Sequence, residues 1–297
     1  MKKKIIVYLR GGIGNQLFMY ATARALSLKN DAELVVDDWS GFIRDKIYNR
    51  SFELKNFKIQ DRFVSKFEVL FFLFYRLYDR IFRSLTKLSK NFFGIQILTE
   101  IDESKYLSEL HDVKLKNYNW LNGLWQSPKY FENYKEILYK ELMPPEPISQ
   151  KFLKIGRKMI SEESVAVGIR LFEERPKNFF GPDPIKNSLK INNILNKIKN
   201  EIPNANFYIF STKNFKFLNE LKLPKKTMKI TAENGFEDTV NTLWLLSQCK
   251  HHVMTDSTFY WWGAWLSNYK HKKSKQLIFA FKNFFNKNTI PENWITF

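Results

Sequence analysis

Apolar positions in the N-terminal part of the chain predict a strand, a helix and a second strand. Residues 3–9 form a β-branched apolar run long enough for one buried strand, and a second such run covers residues 33–36. Between them, side chains recur at helical spacing from Gly14 onward. These positions are Leu17, Tyr20, Ala21, Arg24, Ala25 and Leu28. The order predicts the start of a βαβ unit.

The C-terminal part alternates regularly after residues 141–150, where three prolines within four positions end any helix. Strands are predicted at 164–170, 205–211, 228–231, 251–255 and 276–280. Helices are predicted at 191–199, 214–221, 237–249 and 257–267. Alternating strands and helices imply a parallel sheet covered on both faces. We therefore predict an α/β protein with an N-terminal domain at 1–145 and a C-terminal domain at 146–297.

Residues 63–93 differ from the rest because they are aromatic, aliphatic and basic with almost no turn residues. Leu70, Phe74, Leu77, Ile81, Leu85 and Leu88 keep helical spacing. Between them lie Arg76, Arg80, Arg83, Lys87 and Lys90. This pattern is typical of a helix lying in a membrane interface, and equally of a helical hairpin packed on its own domain. We predict a helical insertion at about 61–93 and leave both interpretations open.

The net charge of +18 is compatible with nucleic acid, an anionic membrane surface or a negatively charged substrate. The lysines are spread along the chain, and the motifs of common nucleic-acid binders are absent, so nucleic acid is discounted. The single cysteine, Cys249, excludes an intramolecular disulfide and fits a reducing compartment. The longest apolar run, residues 69–75, is far below the ~20 residues that span a bilayer. We expect a cytoplasmic protein that is peripheral on the inner face of the cell membrane.

The first strand end that can carry chemistry is the stretch "LRGGIGNQ", residues 9–16. Glycine allows a ligand to approach the backbone, and a helix N-terminus offers N–H groups suited to a phosphate. Asn15 and Gln16 add polar side chains there. A tight turn with a polar cap is the alternative. The spacing is not G-x-G-x-x-G, and we expect no acidic residue to end the following strand in the usual way. A dinucleotide site is therefore not indicated.

The second candidate strand end is "VAVGIRLFEERPKN". Arg170 closes the predicted strand, and an arginine in this position can grip a phosphate with two hydrogen bonds. Glu173 and Glu174 follow, and a carboxylate can accept a proton from a hydroxyl. A solvated charged loop is the alternative.

The third candidate strand end is "TDSTFYWWGAWLS", where Asp256, Ser257 and Thr258 follow a strand and begin a helix. Three tryptophans come next, and they either wall a sugar or base or form an aromatic core, which is the interpretation we favour. They are Trp261, Trp262 and Trp265.

Three stretches in the same order resemble motifs of glycosyltransferase family 11, the α-1,2-fucosyltransferases. They are "GGIGNQLFMYATARALS", "NGLWQSPKYFENY" and "FEDTVNTLWLLSQCKHHVMTDSTFYWWGAWLS", spread from Gly11 to Leu266. The resemblance implies a GT-B fold with two Rossmann-like domains facing a cleft, the nucleotide sugar being held mainly by the C-terminal domain. It also implies an inverting, metal-independent transfer from a GDP-sugar with no further cofactor. In line with this, the sequence contains no Asp-x-Asp pair.

The chain departs from the family pattern at two motifs. The phosphate motif of the family reads roughly H-x-R-R-G-D, and here Gly168 stands for the histidine, Arg170 for the first arginine and Glu173 for the aspartate. The family often has Ser-Asp-Asp after the next strand, where this chain has Ser211 followed by Thr212 and Lys213. In related fucosyltransferases these groups help to hold guanine. A different GDP-sugar, another nucleotide sugar, or a non-catalytic nucleotide- or glycan-binding relative therefore stays open.

On this resemblance, we expect L-fucose to move from GDP-fucose to a hydroxyl of a cell-surface glycan or lipid-linked oligosaccharide in α-1,2 linkage. Arg170 is expected to stabilise the leaving phosphate and Glu173 to act as general base, with Glu174 and Asp256 behind it. The candidate donor-binding residues are Gly12, Gly14, Asn15, Gln16, Arg170, Ser211, Asp256, Ser257, Thr258 and Phe259. No metal site is expected. Residues 63–93 are the candidate contact with an anionic membrane.

Overall fold

The computed structural model divides into two compact units. The described residues are 2–43, 45–46, 48–59, 62–66, 68–70, 89–92, 94–170, 188–214 and 216–297. The N-terminal unit comprises Met1–Met143 and Phe285–Thr289, and the C-terminal unit comprises Pro144–Phe284 and Ile290–Phe297. A short stretch near the end of the chain therefore packs with the first unit.

The N-terminal unit is built on a five-stranded sheet with the order β2-β1-β5-β4-β3. Its strands are β1 (Lys4–Tyr8), β2 (Glu33–Asp37), β3 (Ser89–Phe92), β4 (Ile95–Thr99) and β5 (Tyr118–Asn122). The central strand β1 pairs in parallel with β2 and β5, and its apolar run is buried on both faces. Helix α1 (Ile13–Lys29) follows β1, which confirms the predicted strand, helix and strand, and α2 (Lys135–Leu142) ends the unit's main segment.

The helical prediction for residues 61–93 agrees with the structure at 66 and 68–70, which are helical, and is wrong at 89–92. Ser89–Phe92 forms strand β3, antiparallel to β4, and Phe63 makes an isolated bridge with Val36. Gly94, with a φ of +79°, allows the tight reversal between β3 and β4 that a helix could not make. Residues 71–88 lie outside the described part of the chain. Among the described helices, none is long and apolar enough to cross a membrane.

The C-terminal unit has a six-stranded parallel sheet with the order β11-β10-β9-β6-β7-β8. Its strands are β6 (Ser164–Gly168), β7 (Asn206–Phe210), β8 (Met228–Ile230), β9 (His251–Met254), β10 (Ile278–Ala280) and β11 (Ile295–Thr296). Its helices are α3 (Gln150–Ser161), α4 (Ser188–Glu201), α5 (Thr239–Gln248) and α6 (Thr258–Lys270). All five predicted strands are confirmed within two residues of their ends, whereas α3 and β11 were not predicted.

One predicted helix of this unit is shorter and of another type. In place of a helix at 214–221, Lys216–Glu220 forms a 3₁₀ helix. The amide side chain of Asn192 on α4 ends it, because Nδ2 donates to the carbonyl of Glu220 and Oδ1 accepts from the N–H of Lys222. A side chain that takes both backbone groups leaves none to continue the helix.

The tryptophans of α6 form an aromatic core, as favoured from the sequence. Trp261 and Trp262 are fully buried, and Trp265 stacks on Trp261 with 6.2 Å between ring centroids. Gly263 allows α5 to pack closely, since a Cβ there would lie 2.6 Å from Cβ of Leu246. These rings therefore support α6 from within the fold.

Candidate functional site

The glycine-rich loop of the N-terminal unit joins β1 to α1. Gly11 has a φ of +72°, a conformation that L side chains rarely adopt, and a Cβ there would lie 3.1 Å from Nδ2 of Asn15. Gly12 is the N-cap of α1, and no side chain caps the helix there. The helix therefore begins with its N–H groups directed to the carboxyl end of the sheet.

Gln16, one of the predicted donor contacts, holds the glycine-rich loop to a second segment of the unit. It is fully buried, and its amide lies within the fold: Nε2 donates to the carbonyls of Gly11 (2.8 Å) and Ser51 (2.9 Å). Its Oε1 accepts from the N–H of Glu53 at 2.9 Å. Because these backbone groups occupy both ends of the amide, Gln16 shapes the loop, and its predicted contact with the donor stays a prediction.

The central motif "NGLWQS" meets this loop through Gln126. Its Nε2 donates to Oδ1 of Asn15 at 3.1 Å, and its carbonyl accepts from Oγ1 of Thr289 at 2.6 Å. Ser127 also donates to the carbonyl of Asn288 at 2.9 Å. The motif is thus held between the glycine-rich loop and the returning residues Phe285–Thr289.

Glu100 supports the same motif, and sequence reasoning missed it. Its Oε2 accepts from the N–H groups of Leu124 (2.6 Å) and Trp125 (2.7 Å), which stabilises Trp125 at a φ of +52°. Burial raises the pKa of Glu100 to about 7, against these hydrogen bonds, which lower it. The available signal was an acidic residue directly after the apolar run 95–99.

Asp37 and Arg50 also lie at this edge. Asp37 is the last residue of β2, so the expectation that no acidic residue ends that strand is wrong. Its carboxylate accepts from the N–H groups of Trp39 and Ser40, and burial raises its pKa. Arg50 was missed because it is distant in sequence, yet the carbon of its guanidinium lies 3.8 Å from the Cβ position of Gly12.

In the C-terminal unit, three predicted donor-binding segments follow neighbouring strands. Arg170 follows β6, Ser211 follows β7 and Asp256 follows β9, and β6 pairs with both other strands. The carboxyl ends of parallel strands meet at one edge of a sheet, so the structure brings these segments together.

Two hydrogen bonds, each donated by a backbone N–H, fix two of these segments relative to each other. The N–H of half-buried Arg170 donates to Oγ1 of Thr255 at 2.9 Å, and the N–H of Thr255 donates to the carbonyl of Gly168 at 3.0 Å. Ser257 is the buried N-cap of α6 and makes no side-chain capping bond. Thr258 and Phe259 are half-buried in the first turn.

Ser211 offers a buried hydroxyl at the same edge. Its Oγ has no hydrogen-bond partner within the part of the chain that the structure describes. Thr212 and Lys213, which stand where the family often has acidic residues, are exposed. A buried hydroxyl with no protein partner is a suitable donor or acceptor for a ligand.

The structure gives a steric reason for glycine at position 168. A Cβ there would lie 2.5 Å from Cγ of Tyr260, closer than real Cβ contacts. The ring of Tyr260 therefore excludes any larger residue, including the histidine of the family motif.

Glu173, Glu174 and Arg175 fall in residues 171–187, outside the described part of the chain, as do Arg76, Arg80 and Arg83. Their predicted roles stay predictions. Within the described ranges, no group of three or more His, Cys, Asp or Glu residues is arranged to hold a metal ion.

Comparison with models of protein families identifies the family to which these motifs belong. The model described as "Glycosyl transferase family 11" matches residues 4–295. The chain belongs to glycosyltransferase family 11. It is accordingly a glycosyltransferase, and its fold is of the GT-B type with two Rossmann-like α/β domains.

Two curated family relatives come from Escherichia coli. An "Alpha-1,2-colitosyltransferase" is 28% identical over 280 residues, covering 89% of this chain and 88% of the relative. The "O-antigen biosynthesis glycosyltransferase WbnK" is 25% identical over 279 residues, covering 89% of this chain and 90% of the relative. Both matches extend over most of each chain.

Two solved structures share the fold at low identity. A mutant of Arabidopsis thaliana FUT1 in complex with GDP has a TM-score of 0.53 and 13% identity, covering 94% of this chain and 70% of that one. The α-1,6-fucosyltransferase NodZ soaked with GDP-fucose has a TM-score of 0.50 and 14% identity, covering 90% and 93%.

Proposed function

We propose that this family 11 enzyme transfers a 6-deoxyhexose from a GDP-sugar to a hydroxyl of a glycan, with inversion and without a metal. The observation that carries the proposal is the meeting of Arg170, Ser211 and the N-terminus of α6 at one edge of the C-terminal sheet. The names of the relatives support the class of donor, since one is a colitosyltransferase and the fold neighbours are fucosyltransferases.

The chemistry requires positive charge where the nucleoside diphosphate leaves. Negative charge grows on the phosphate as the bond to the anomeric carbon breaks, and fixed N–H donors and cations stabilise it. Arg170 supplies a guanidinium. The first turn of α6 supplies backbone N–H groups, and its N-cap Ser257 makes no side-chain capping hydrogen bond. The acceptor hydroxyl then attacks the opposite face of the anomeric carbon, which inverts its configuration.

A carboxylate is required to take the proton of the attacking hydroxyl, a role typically worth ~10²–10⁴-fold in rate. Glu173 is the proposed general base, with Glu174 and Asp256 as alternatives. In the N-terminal unit, Gly12, Gly14 and Asn15 remain proposed contacts to the donor sugar or the acceptor.

Two donor sugars are the leading candidates, L-fucose and colitose, which is L-fucose without its 3-hydroxyl. Thermal-shift measurements with GDP, UDP, CDP and dTDP identify the base, because a bound ligand raises stability in proportion to its affinity. Release of GDP from GDP-fucose and GDP-colitose in the presence of glycan acceptors then identifies the sugar. Stabilisation by UDP, CDP or dTDP but not by GDP would contradict the proposed donor class.

The acceptor is proposed to be an O-antigen-type glycan, carried on a lipid at the cytoplasmic face of the membrane. The relative named for O-antigen biosynthesis and the basic, aromatic residues 63–93 support this proposal. Co-sedimentation with phosphatidylglycerol vesicles at low and high salt tests the membrane contact. Replacing Arg76, Arg80 and Arg83 by Glu is expected to release the protein without changing transfer to a soluble acceptor.

A further inference from the structure

Tyr260 lies in the first turn of α6, two residues after Thr258, and is 5% exposed. It belongs to the motif region but has no role in the chemistry proposed above. Its contacts reach away from its own helix to the ends of two strands.

The hydroxyl of Tyr260 lies between two strand-end carbonyls. Its oxygen is 3.1 Å from the carbonyl oxygen of Ile169 and 3.0 Å from that of Phe210. One hydroxyl proton is shared between these two acceptors. Ile169 directly precedes Arg170, and Phe210 directly precedes Ser211.

The ring of Tyr260 makes a third contact, in addition to the two made by its hydroxyl. It packs over Gly168, where a Cβ would lie 2.5, 2.8 and 2.9 Å from three of its ring carbons. The side chain therefore fits against β6 only because residue 168 is glycine, and it has little room to shift within its buried site.

We propose that Tyr260 is a positioning residue of the donor site, which holds Arg170 and Ser211 in register with the first turn of α6. The proposal rests on the proposed function, in which these groups bind the nucleoside diphosphate. One side chain joins the ends of β6 and β7 to the helix that provides the third segment. Small displacements of such groups change rates strongly, because charge stabilisation depends on fixed geometry.

Tyr260→Phe tests the hydroxyl and keeps the ring. We expect the affinity for GDP, measured by titration calorimetry, and kcat/KM for the donor each to fall about tenfold or more. Tyr20→Phe is the matched control, because the hydroxyl of this buried tyrosine donates to Oε2 of Glu141 at 2.8 Å in the N-terminal unit. It removes an equally buried hydroxyl, and we expect it to lower thermal stability comparably while leaving both donor parameters unchanged.

A double-mutant cycle separates positioning from general loosening. In the Arg170→Ala background, Tyr260→Phe is expected to lower GDP affinity by a smaller factor than in the wild-type protein, because one of the two groups that it positions is gone. An equal loss in both backgrounds, or unchanged GDP affinity and kcat/KM in Tyr260→Phe, would overturn the inference. If the wild-type protein itself does not bind GDP, the proposed donor fails first. If it binds GDP and Tyr260→Phe binds equally well, only the inference about Tyr260 fails.

Discussion

The carboxyl-end edges of the two sheets hold their loops with different side chains. In the N-terminal unit, buried polar side chains bind loop backbone: Gln16 joins the glycine-rich loop to residues 51–53, and Glu100 holds the turn at Trp125. In the C-terminal unit, the hydroxyls of Thr255 and Tyr260 bind strand-end backbone, while Ser211 keeps a buried hydroxyl without a hydrogen-bond partner among the described residues. At the first edge the polar groups are bonded to loop backbone, whereas the second edge retains a buried hydroxyl that has no protein partner among the described residues.

The largest effect is expected at the second edge. Arg170→Ala is predicted to lower kcat/KM for the donor about 10²–10³-fold with an unchanged circular dichroism spectrum, because it removes a charge that stabilises the leaving phosphate. Arg157→Ala, an exposed arginine on α3 of the same unit, is the control and is expected to retain full activity. Near-normal nucleoside diphosphate release by Arg170→Ala would show that this edge does not bind the leaving group.

At the first edge, substitution should affect stability before chemistry. Gln16→Ala removes three hydrogen bonds to loop backbone, so we expect a loss of about 2–4 kcal/mol in unfolding free energy. Asn15→Ala is the neighbouring comparison, since half-buried Asn15 accepts from Gln126 at the surface of the same loop. Urea denaturation of both variants measures the difference, and equal losses would refute the assigned division of roles.

Although β4 and β5 were not predicted, the sequence predicted β1, β2 and β6 to β10, because buried parallel strands read as apolar runs. It did not predict how the first edge is assembled, since Gln16 meets Ser51 and Glu53, and Glu100 meets Trp125, only through the tertiary fold. Strand β3 was mistaken for helix because the basic and aromatic composition of residues 63–93 masked the reversal at Gly94. The stretches that contain Arg170 and Asp256 located the second edge directly, since each lies at the end of a strand.

The two units are also expected to respond to pH with opposite sign. In the folded state the pKa of Glu100 is raised to about 7 from 4.5, so the protonated form is favoured. The stability that this provides is fully present below about pH 4.5 and is lost as pH rises through 7. Glu100→Gln is neutral at every pH, so its melting temperature relative to wild type should rise between pH 5 and 8, by the equivalent of about 2–3 kcal/mol.

Three histidines of the C-terminal unit, two buried and one half-buried, provide the opposite pH dependence as an internal control. Burial lowers the pKa of His251 and His271, and that of His252 to about 3, so the folded state favours their neutral forms. Their contribution is present above about pH 6.5 and is lost as pH falls below it. Glu100→Gln should leave this loss of stability at acid pH unchanged. A stability difference between wild type and Glu100→Gln that stays flat from pH 5 to 8 would contradict the role of Glu100.

The smallest expected effect is that of metal removal. If the positive charge at the second edge comes from Arg170 and the N–H groups of α6, chelation by EDTA should leave the rate of nucleoside diphosphate release unchanged. The chain contains no Asp-x-Asp pair that would present a divalent cation to the diphosphate. Assays with EDTA alone, and then with added Mg²⁺ or Mn²⁺, measure this directly in wild type and in Arg170→Ala. Loss of wild-type activity on chelation, restored by either ion, would mean that a metal shares the charge stabilisation assigned to the second edge. Rescue of Arg170→Ala alone would instead show that a cation can replace the guanidinium at this position.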